Sequence, residues 1–157
     1  VFWMAKSKSN CRQSGCPIAF TLDAIGDKWS LLIVRDIIFK GRRNFSEFLE
    51  AKERISANIL SDRLRNLELN NIISKTQDPE NGNRNIYNIT QKGMELIPII
   101  LEIVIWGTNT DEDSATPNGM YERLKLDKQN YVAEIMEAVK NNKPAPYYLE
   151  DIEFDNM

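Results

Sequence analysis

One face of the segment 56–70 is lined with short or forked side chains that donate and accept hydrogen bonds. Successive residues of an α-helix are about 100° apart, which groups four polar residues on the outside: Asn58, Ser61, Asp62 and Arg65. Three leucines share the opposite side: Leu60, Leu64 and Leu67. Arginine matches the edge of guanine and asparagine that of adenine, and the amide groups at Ser56 and Ala57 favour a phosphate. The pattern predicts a helix that reads DNA; the alternative is an amphipathic helix with a solvated polar face.

Two further groups of residues could contact the DNA backbone. Asn83, Arg84 and Asn85 fall at the expected tip of a β-hairpin with no acidic residue between them. This composition suits backbone or minor-groove contact. Arg42 and Arg43 precede a short helix and are expected to bind phosphates in the same way.

Acidic residues in the same segments argue against DNA binding by electrostatic attraction alone. Asp78 and Glu80 share the hairpin loop with Arg84. Asp62 lies on the reading face, where a carboxylate repels phosphate. It could instead accept a hydrogen bond from a cytosine amino group or orient Arg65, and the sequence leaves both interpretations open.

The usual parts of an enzyme or a metal site are missing from the sequence. Histidine is absent, which removes the commonest general acid–base group and the commonest metal ligand. Cys11 and Cys16, with no second cysteine pair, are a poor zinc site. No phosphate-binding glycine motif occurs. We therefore predict no enzyme activity, no cofactor and no metal.

The charge of the chain changes sign along its length. The 157 residues carry a formal net charge of −3 and are 42 % apolar, a composition typical of one compact domain. Residues 1–110 hold 15 basic and 12 acidic side chains, whereas residues 111–157 hold 5 and 11. No apolar run of about 18 residues and no signal-like segment occurs. We expect separate roles for the two parts, no membrane contact and a cytoplasmic location.

Hydrophobic periodicity and turn residues predict a mainly α fold with one small β-hairpin. The expected order is four helices (17–25, 28–40, 45–52 and 56–70), two strands (72–76 and 86–89), a helix over 91–106 and an extra C-terminal helix over 121–143. Pro98 should kink or break the helix after the hairpin. The order H-H-H-H-E-E-H plus an extra helix is typical of a winged helix-turn-helix.

Composition divides the chain into four segments. We expect a flexible arm over 1–15, a winged helix-turn-helix domain with dimerisation helices over 16–107, a linker over 108–118 and an acidic helical extension over 119–157. The linker is polar and turn-prone, and the extension carries most of the excess acidic charge.

Several short motifs, taken in their order and spacing, resemble the HxlR-type family of bacterial winged-helix regulators, relatives of the MarR group. The motifs are Cys16-Pro17-Ile18, Gly26-Asp27-Lys28-Trp29, Arg42-Arg43-Asn44-Phe45-Ser46-Glu47, Ile55-Ser56, Leu60-Ser61-Asp62-Arg63-Leu64, Leu67-Glu68, Tyr87, Thr90-Gln91-Lys92-Gly93 and Pro98. Asn71 stands where the family usually has glycine, and asparagine tolerates the same backbone conformation. The resemblance covers residues 16–107 and implies nothing about the acidic tail.

The resemblance implies a regulator of transcription, expected to be a repressor, that binds a palindromic operator in double-stranded DNA as a homodimer. The dimer would form through the first helix and the helix after the hairpin; the candidate contacts are Ile18, Ile97, Ile100, Leu101 and Val104. The run 97–106 is too apolar for solvent on any side, so either a partner subunit or the C-terminal helix should cover it. A winged-helix protein-interaction module without DNA binding is the alternative function. A small-molecule effector is left open, and nothing in the sequence names one.

The resemblance also draws attention to Cys16. In some members of the family the cysteine before the first-helix proline senses oxidants or electrophiles, and Cys16 matches that position. A helix N-terminus favours the reactive thiolate form of a cysteine. Cys11 could then serve as the resolving thiol. The alternative is an inert, buried thiol that packs the first helix.

Overall fold

The computed structural model describes residues 14–146, so Cys11, nearly all of the expected arm and the last eleven residues lie outside the described part. The elements are α1 (Pro17–Ile25), α2 (Lys28–Phe39), α3 (Phe45–Leu49), α4 (Ala57–Leu69), β1 (Ile73–Gln77), β2 (Asn85–Ile89), α5 (Gln91–Met94), α6 (Ile97–Thr110), α7 (Asn118–Leu126) and α8 (Lys128–Lys140). The strands pair antiparallel, with Ile73 opposite Ile89 and Gln77 opposite Asn85. The winged helix-turn-helix class is confirmed. No helix within residues 14–146 is long and apolar enough to cross a bilayer.

Helix α2 runs through the core because its own apolar side chains point in nearly every direction. Val34, Ile37 and Ile38 are fully buried. Asp27 caps the start of the helix, where its Oδ1 accepts the backbone N–H of Trp29 at 2.9 Å. Helix α4 and strand β2 pack against this central element.

Short polar side chains set the starts of α3 and α4. Asn44 and Glu47 form the expected capping box, with Asn44 Oδ1 accepting the Glu47 N–H and Glu47 Oε2 accepting the Asn44 N–H, both at 3.1 Å. Ser56 Oγ accepts the N–H of Ile59 at 3.3 Å and begins α4. Asn71 has a φ of 55° just after α4, so it takes the left-handed conformation expected of it.

The end of α4, the base of the hairpin and the start of α5 are bonded into one junction. Thr90 Oγ1 donates to the carbonyl of Ile72 at 3.0 Å, and Lys92 Nζ donates to the carbonyl of Asn70 at 2.8 Å. A Cβ on Gly93 would lie 2.2 Å from the Ile72 carbonyl oxygen, so this close approach requires glycine. Helix α4 is therefore anchored at its C-terminal end.

The helix after the hairpin is broken, as the position of Pro98 predicts. Glu95 and Leu96 separate α5 from α6, and Pro98 occupies the first turn of α6, where its missing N–H costs nothing. Helix α6 continues to Thr110, so the first residues of the expected linker belong to this helix.

The prediction of a single C-terminal helix is wrong. Asp127, with φ −153° and ψ 49°, separates α7 from α8, and its Oδ1 accepts the Asn130 side-chain amide at 2.9 Å. The two helices bury one apolar row: Met120, Leu124, Tyr131, Ile135 and Val139. Farther on, the Ala145 N–H donates to the Ile38 carbonyl at 3.3 Å. The C-terminal pair thus completes the core against α6 and the end of α2.

Candidate nucleic-acid interface and dimer surface

Helix α4 presents the polar face that its sequence predicts. Its outer residues are all exposed: Ser56, Ala57, Asn58, Ser61, Asp62 and Arg65. The three inner leucines are buried: Leu60, Leu64 and Leu67. The Ser56 cap and the leucine contacts fix which way this face points, so its side chains are held outward by the packing behind them.

Asp62 is paired with Arg63 rather than with Arg65, so the idea that it orients Arg65 is wrong. Arg63 Nη1 also lies 3.3 Å from Asp27 Oδ2. Within residues 14–146 Arg65 forms no ion pair, which leaves its donors for a guanine edge or a phosphate. The Arg63 guanidinium offsets the carboxylate of Asp62 and reduces its repulsion of DNA.

An open groove of about 520 Å³ lies between α4 and the hairpin. It is lined by Phe45, Ser61, Leu64, Arg65, Glu68, Leu69, Lys75 and Tyr87. Lys75 Nζ lies 3.3 Å from Glu68 Oε2 across it. The sequence reasoning missed Lys75 and Tyr87, although the alternation of strand residues could have suggested that one face of β1 and β2 borders the recognition helix.

The conformation of the hairpin loop is held by an ion pair. Asp78 is buried, and its Oδ2 accepts Nε of Arg84 at 2.6 Å. Hydrogen bonds from the Glu80 N–H and from Arg84 hold the pKa of Asp78 below its usual range. Arg84 remains 45 % exposed at its side chain and has more donors than Asp78 uses. Asp78 therefore shapes the wing, and its ion pair with Arg84 offsets its charge.

A second groove, of about 330 Å³, joins the wing to the start of α3. Asn83, Arg84 and Asn85 border it on one side, and Asn44 and Ser46 on the other. The predicted wing residues thus come together with the first turn of α3, and the groove is open to solvent.

Arg42 and Arg43 are not presented as predicted. Arg42 Nη1 donates to Asp36 Oδ2 at 2.7 Å, and Arg43 Nη1 donates to the Ile37 carbonyl at 2.9 Å. The Arg43 carbonyl accepts the N–H of Tyr87 in β2 at 2.7 Å. Both side chains are half-buried, because the acidic and carbonyl groups at the end of α2 hold them. The structure corrects the expected phosphate contact to a role in joining α2 to the wing.

Arg35, on α2, anchors the turn before α4. Arg35 Nη1 donates to Glu53 Oε1 at 2.5 Å, and its Nε donates to Asp36 Oδ1 at 2.8 Å. The hydrogen bond from Arg35 is the main cause that lowers the pKa of Glu53 to about 2. This network fixes the turn on which the recognition helix begins.

The apolar surface of the protomer differs from the predicted dimer contacts. Ile97, Ile100 and Leu101 are buried against the protomer's own core, and Val104 is half-buried. Of the predicted set only Ile18 is fully available, at 69 % exposed. The exposed stripes are instead Ile18 and Leu22 on α1, and Ile99, Ile103 and Trp106 on α6. Helices α7 and α8 pack against one side of α6. The predicted dimer contacts on α6 are therefore corrected to its exposed residues.

Cys16 is the N-cap of α1 and is exposed with a free thiol. Its backbone N–H donates to Ser14 Oγ at 3.3 Å. The alternative of a thiol buried in the protomer is therefore wrong. In the described part of the chain no group of three His, Cys, Asp or Glu side chains could hold a metal ion.

The chain is similar to known DNA-binding regulators. A model of the HxlR-like helix-turn-helix family matches residues 24–115. YybR of Bacillus subtilis, an uncharacterised HTH-type transcriptional regulator, is 32 % identical over 110 residues, covering 69 % of this chain and 87 % of YybR. The reduced form of the transcriptional regulator YodB from B. subtilis aligns with TM-score 0.51 and 28 % identity, over 64 % of this chain and 99 % of YodB. The redox regulator HypR in its oxidised form aligns with TM-score 0.52 and 32 % identity, over 60 % and 96 %.

Proposed function

The chain belongs to the HxlR-like helix-turn-helix family of transcription regulators, and on that basis we propose that it binds a palindromic operator as a homodimer and represses transcription in the cytoplasm. As a member of this family it is a DNA-binding regulator and not an enzyme. The observation that carries the proposal is the exposed row of Asn58, Ser61 and Arg65 on α4, held outward by three buried leucines. A dimer bound within a promoter would repress by excluding the polymerase.

The proposed contacts divide into base reading and backbone positioning. Arg65 and Asn58 have the forked groups that match guanine and adenine edges, with Ser61 beside them. Asn83, Arg84 and Asn85 on the wing would bind the backbone next to the groove that α4 enters. In a two-fold dimer the two recognition helices should lie about 34–36 Å apart, one turn of DNA.

Dimerisation is supported by apolar surface that one protomer leaves open. Ile18 and Leu22 on α1 and Ile103 and Trp106 on α6 are all exposed. Large side chains of this kind in water are typical of an interface that a second copy covers. The proposal therefore assigns the dimer contact to these stripes.

The DNA-binding proposal is tested by selecting duplexes from a random-sequence library with the wild-type protein and measuring affinity by fluorescence anisotropy. Arg65→Ala should lose about 1–3 kcal/mol on the selected operator and relax its sequence preference. Lys125→Ala on α7 is the charge-matched control and should bind like wild type. If the Arg65 variant keeps both affinity and preference, the base-reading role is wrong. If the wild type selects no sequence, the protein-interaction module becomes the better explanation.

We further propose that Cys16 makes the regulator responsive to oxidants. The thiol is exposed at the start of α1, next to the proposed dimer stripe, and the structurally similar HypR is described as a redox regulator. Diamide would join Cys16 to a second thiol, with Cys11 the available candidate, while the diamide takes up the two electrons and two protons. Treatment should change operator affinity in the wild type, with reversal by dithiothreitol. A Cys16→Ser variant that responds like wild type would rule this out.

A further inference from the structure

Arg63 lies on the flank of α4, between the reading face and the core, and the proposed DNA contacts do not use it. Its side chain is 30 % exposed, and its guanidinium lies between two carboxylates. One belongs to Asp62 on the same helix, and the other is Asp27, at 3.3 Å. The second contact crosses from the recognition helix to the turn between α1 and α2.

Asp27 is a fixed anchor for this contact. Its Oδ1 accepts the backbone N–H groups of Trp29 and Ser30 at 2.9 and 3.0 Å, and its Oδ2 accepts Ser30 Oγ at 2.5 Å. Burial opposes ionisation, but the hydrogen bonds from Ser30, Trp29 and Arg63 outweigh it and lower the pKa of Asp27. The carboxylate therefore stays charged and immobile against the first turn of α2.

Asn66 makes a second contact of the same kind, about one turn farther along α4. Its Nδ2 donates to the carbonyl of Ala24 at 3.3 Å. That carbonyl belongs to the last turn of α1, where the final carbonyls of a helix lack intrahelical partners. The Asn66 side chain is itself held by Asn70, whose Nδ2 donates to Asn66 Oδ1 at 3.3 Å. Two polar contacts thus join α4 to the end of α1.

Helix α1 buries little of its own surface in the protomer. Ile25 is its one buried residue, while Ile18 and Leu22 face outward on the proposed dimer stripe. The partner subunit would therefore cover the side of α1 that carries Ile18 and Leu22. Asn66 binds the C-terminal end of α1, and Arg63 binds the turn that follows it. A shift of α1 against the partner has a direct physical route to the recognition helix.

We propose that Arg63 and Asn66 are positioning residues that set the angle of α4 against the α1–α2 turn, and thereby the spacing of the two recognition helices in the dimer. This inference rests on the proposed dimeric, DNA-binding function. Because the Arg63 guanidinium is shared by two carboxylates, its charge is largely offset, and it should contribute little to counterion release.

The experiment uses the full chain with the variants Arg63→Gln, Asp27→Asn and Asn66→Ala. Asparagine retains the helix-capping ability of Asp27 while losing the charge that holds Arg63. Lys125→Gln removes one positive charge from α7 and is the matched control. Thermal unfolding checks that each variant is folded before its binding is measured.

The probes are the operator selected by the wild type from a random library, duplexes with one or two base pairs added or removed between its half-sites, and a single half-site. Because a turn of DNA takes about 10.5 base pairs, each change rotates and displaces one half-site. The wild type and the Lys125 variant should discriminate against altered spacing by about tenfold or more. Each positioning variant should reduce the discrimination against altered spacing to less than about threefold. Its affinity for the half-site and the salt slope of its binding should be unchanged.

A double variant of Arg63 and Asp27 should be no worse than either single variant, because both remove the same contact. Wild-type spacing preference in the Arg63→Gln variant would overturn the proposal. So would a loss of half-site affinity with a salt slope reduced by about 0.9, since Arg63 would then be a phosphate contact. If the wild type selects no operator, the proposed function fails first, and the positioning role fails with it.

Discussion

Trp106 provides the sharpest test of the dimer surface. It lies near the end of α6 with 69 % of its surface exposed, in line with Ile103 and Ile99, one and two turns earlier. No other exposed apolar residue of the two proposed stripes is as large. Trp106→Ala should therefore remove the largest single contribution to association.

The expected magnitude follows from the exposed area. A tryptophan side chain presents on the order of 200 Å², so 69 % exposure corresponds to roughly 140 Å² in each subunit. At about 25 cal/mol per Å², complete burial contributes roughly 3.5 kcal/mol per subunit and 7 kcal/mol per dimer. Side-chain ordering and incomplete coverage reduce this. We expect a loss of about half, ~3–4 kcal/mol per dimer, which raises the dimer Kd by about 10²- to 10³-fold.

Sedimentation velocity over a range of protein concentrations measures this change directly. Leu126→Ala is the matched control, because Leu126 is 81 % exposed on α7 and belongs to neither stripe. Operator binding by the Trp106 variant should weaken in parallel at low protein concentration, where monomer predominates. A Trp106 variant that dimerises as tightly as wild type, or a Leu126 variant that is equally impaired, would refute the assignment of the interface to α6.

Three other perturbations have defined outcomes. Arg84→Ala should weaken binding to the operator and to unrelated duplex by similar factors and reduce the salt slope by up to about 0.9, because its expected contact is with the backbone; a loss limited to the operator would contradict that role. Asn71→Ala should lower the free energy of unfolding by about 1 kcal/mol in urea, because its φ of 55° suits asparagine better than alanine; an unchanged midpoint would contradict this. The pKa of Glu53 is depressed from 4.5 to about 2, so its pair with Arg35 stabilises the fold above about pH 4.5 and is lost as pH falls toward 2. Between about pH 4.5 and 2, the free energy of unfolding of Glu53→Gln should therefore fall by about 1–2 kcal/mol less than that of the wild type. Acid-unfolding curves that run parallel for the two proteins would show that the pair contributes nothing.

Sequence reasoning succeeded where a local rule decides the structure. The side chains of Asp27, Asn44, Ser56 and Thr90 each accept a backbone N–H and begin a helix, and residues of these types do so through contacts two or three positions away. The outer and inner faces of α4 follow from helical periodicity in the same way. These features need no knowledge of distant parts of the chain.

The side of α6 that stays exposed could not be read from the sequence. Its run of isoleucine and leucine is apolar in every direction, so periodicity gives no direction for the partner. Packing within the protomer decides the matter: Ile97 and Leu101 are buried in the core, and Ile103 stays exposed. The predicted dimer set was therefore largely a list of core residues.

Long-range polar contacts were also beyond the sequence. Arg42 was expected on DNA, but Asp36 at the end of α2 holds it. The Arg63–Asp27 contact joins residues of separate helices, and no local spacing rule indicates it. Charged side chains choose among several partners of opposite sign, and only the packed fold brings one of them within reach.

The junction at the base of the hairpin gives α4 the mechanics of a lever. Lys92 and Thr90 bind Asn70 and Ile72, so the C-terminal end of the helix acts as the fulcrum. At 1.5 Å per residue, Arg63 lies about 10 Å from that fulcrum and Ser56 about 21 Å. For a rotation of α4 about that end, a displacement at Arg63 would double at the N-terminal tip. The Arg35–Glu53 pair, which holds the turn before Ser56, is therefore the contact that resists such a rotation.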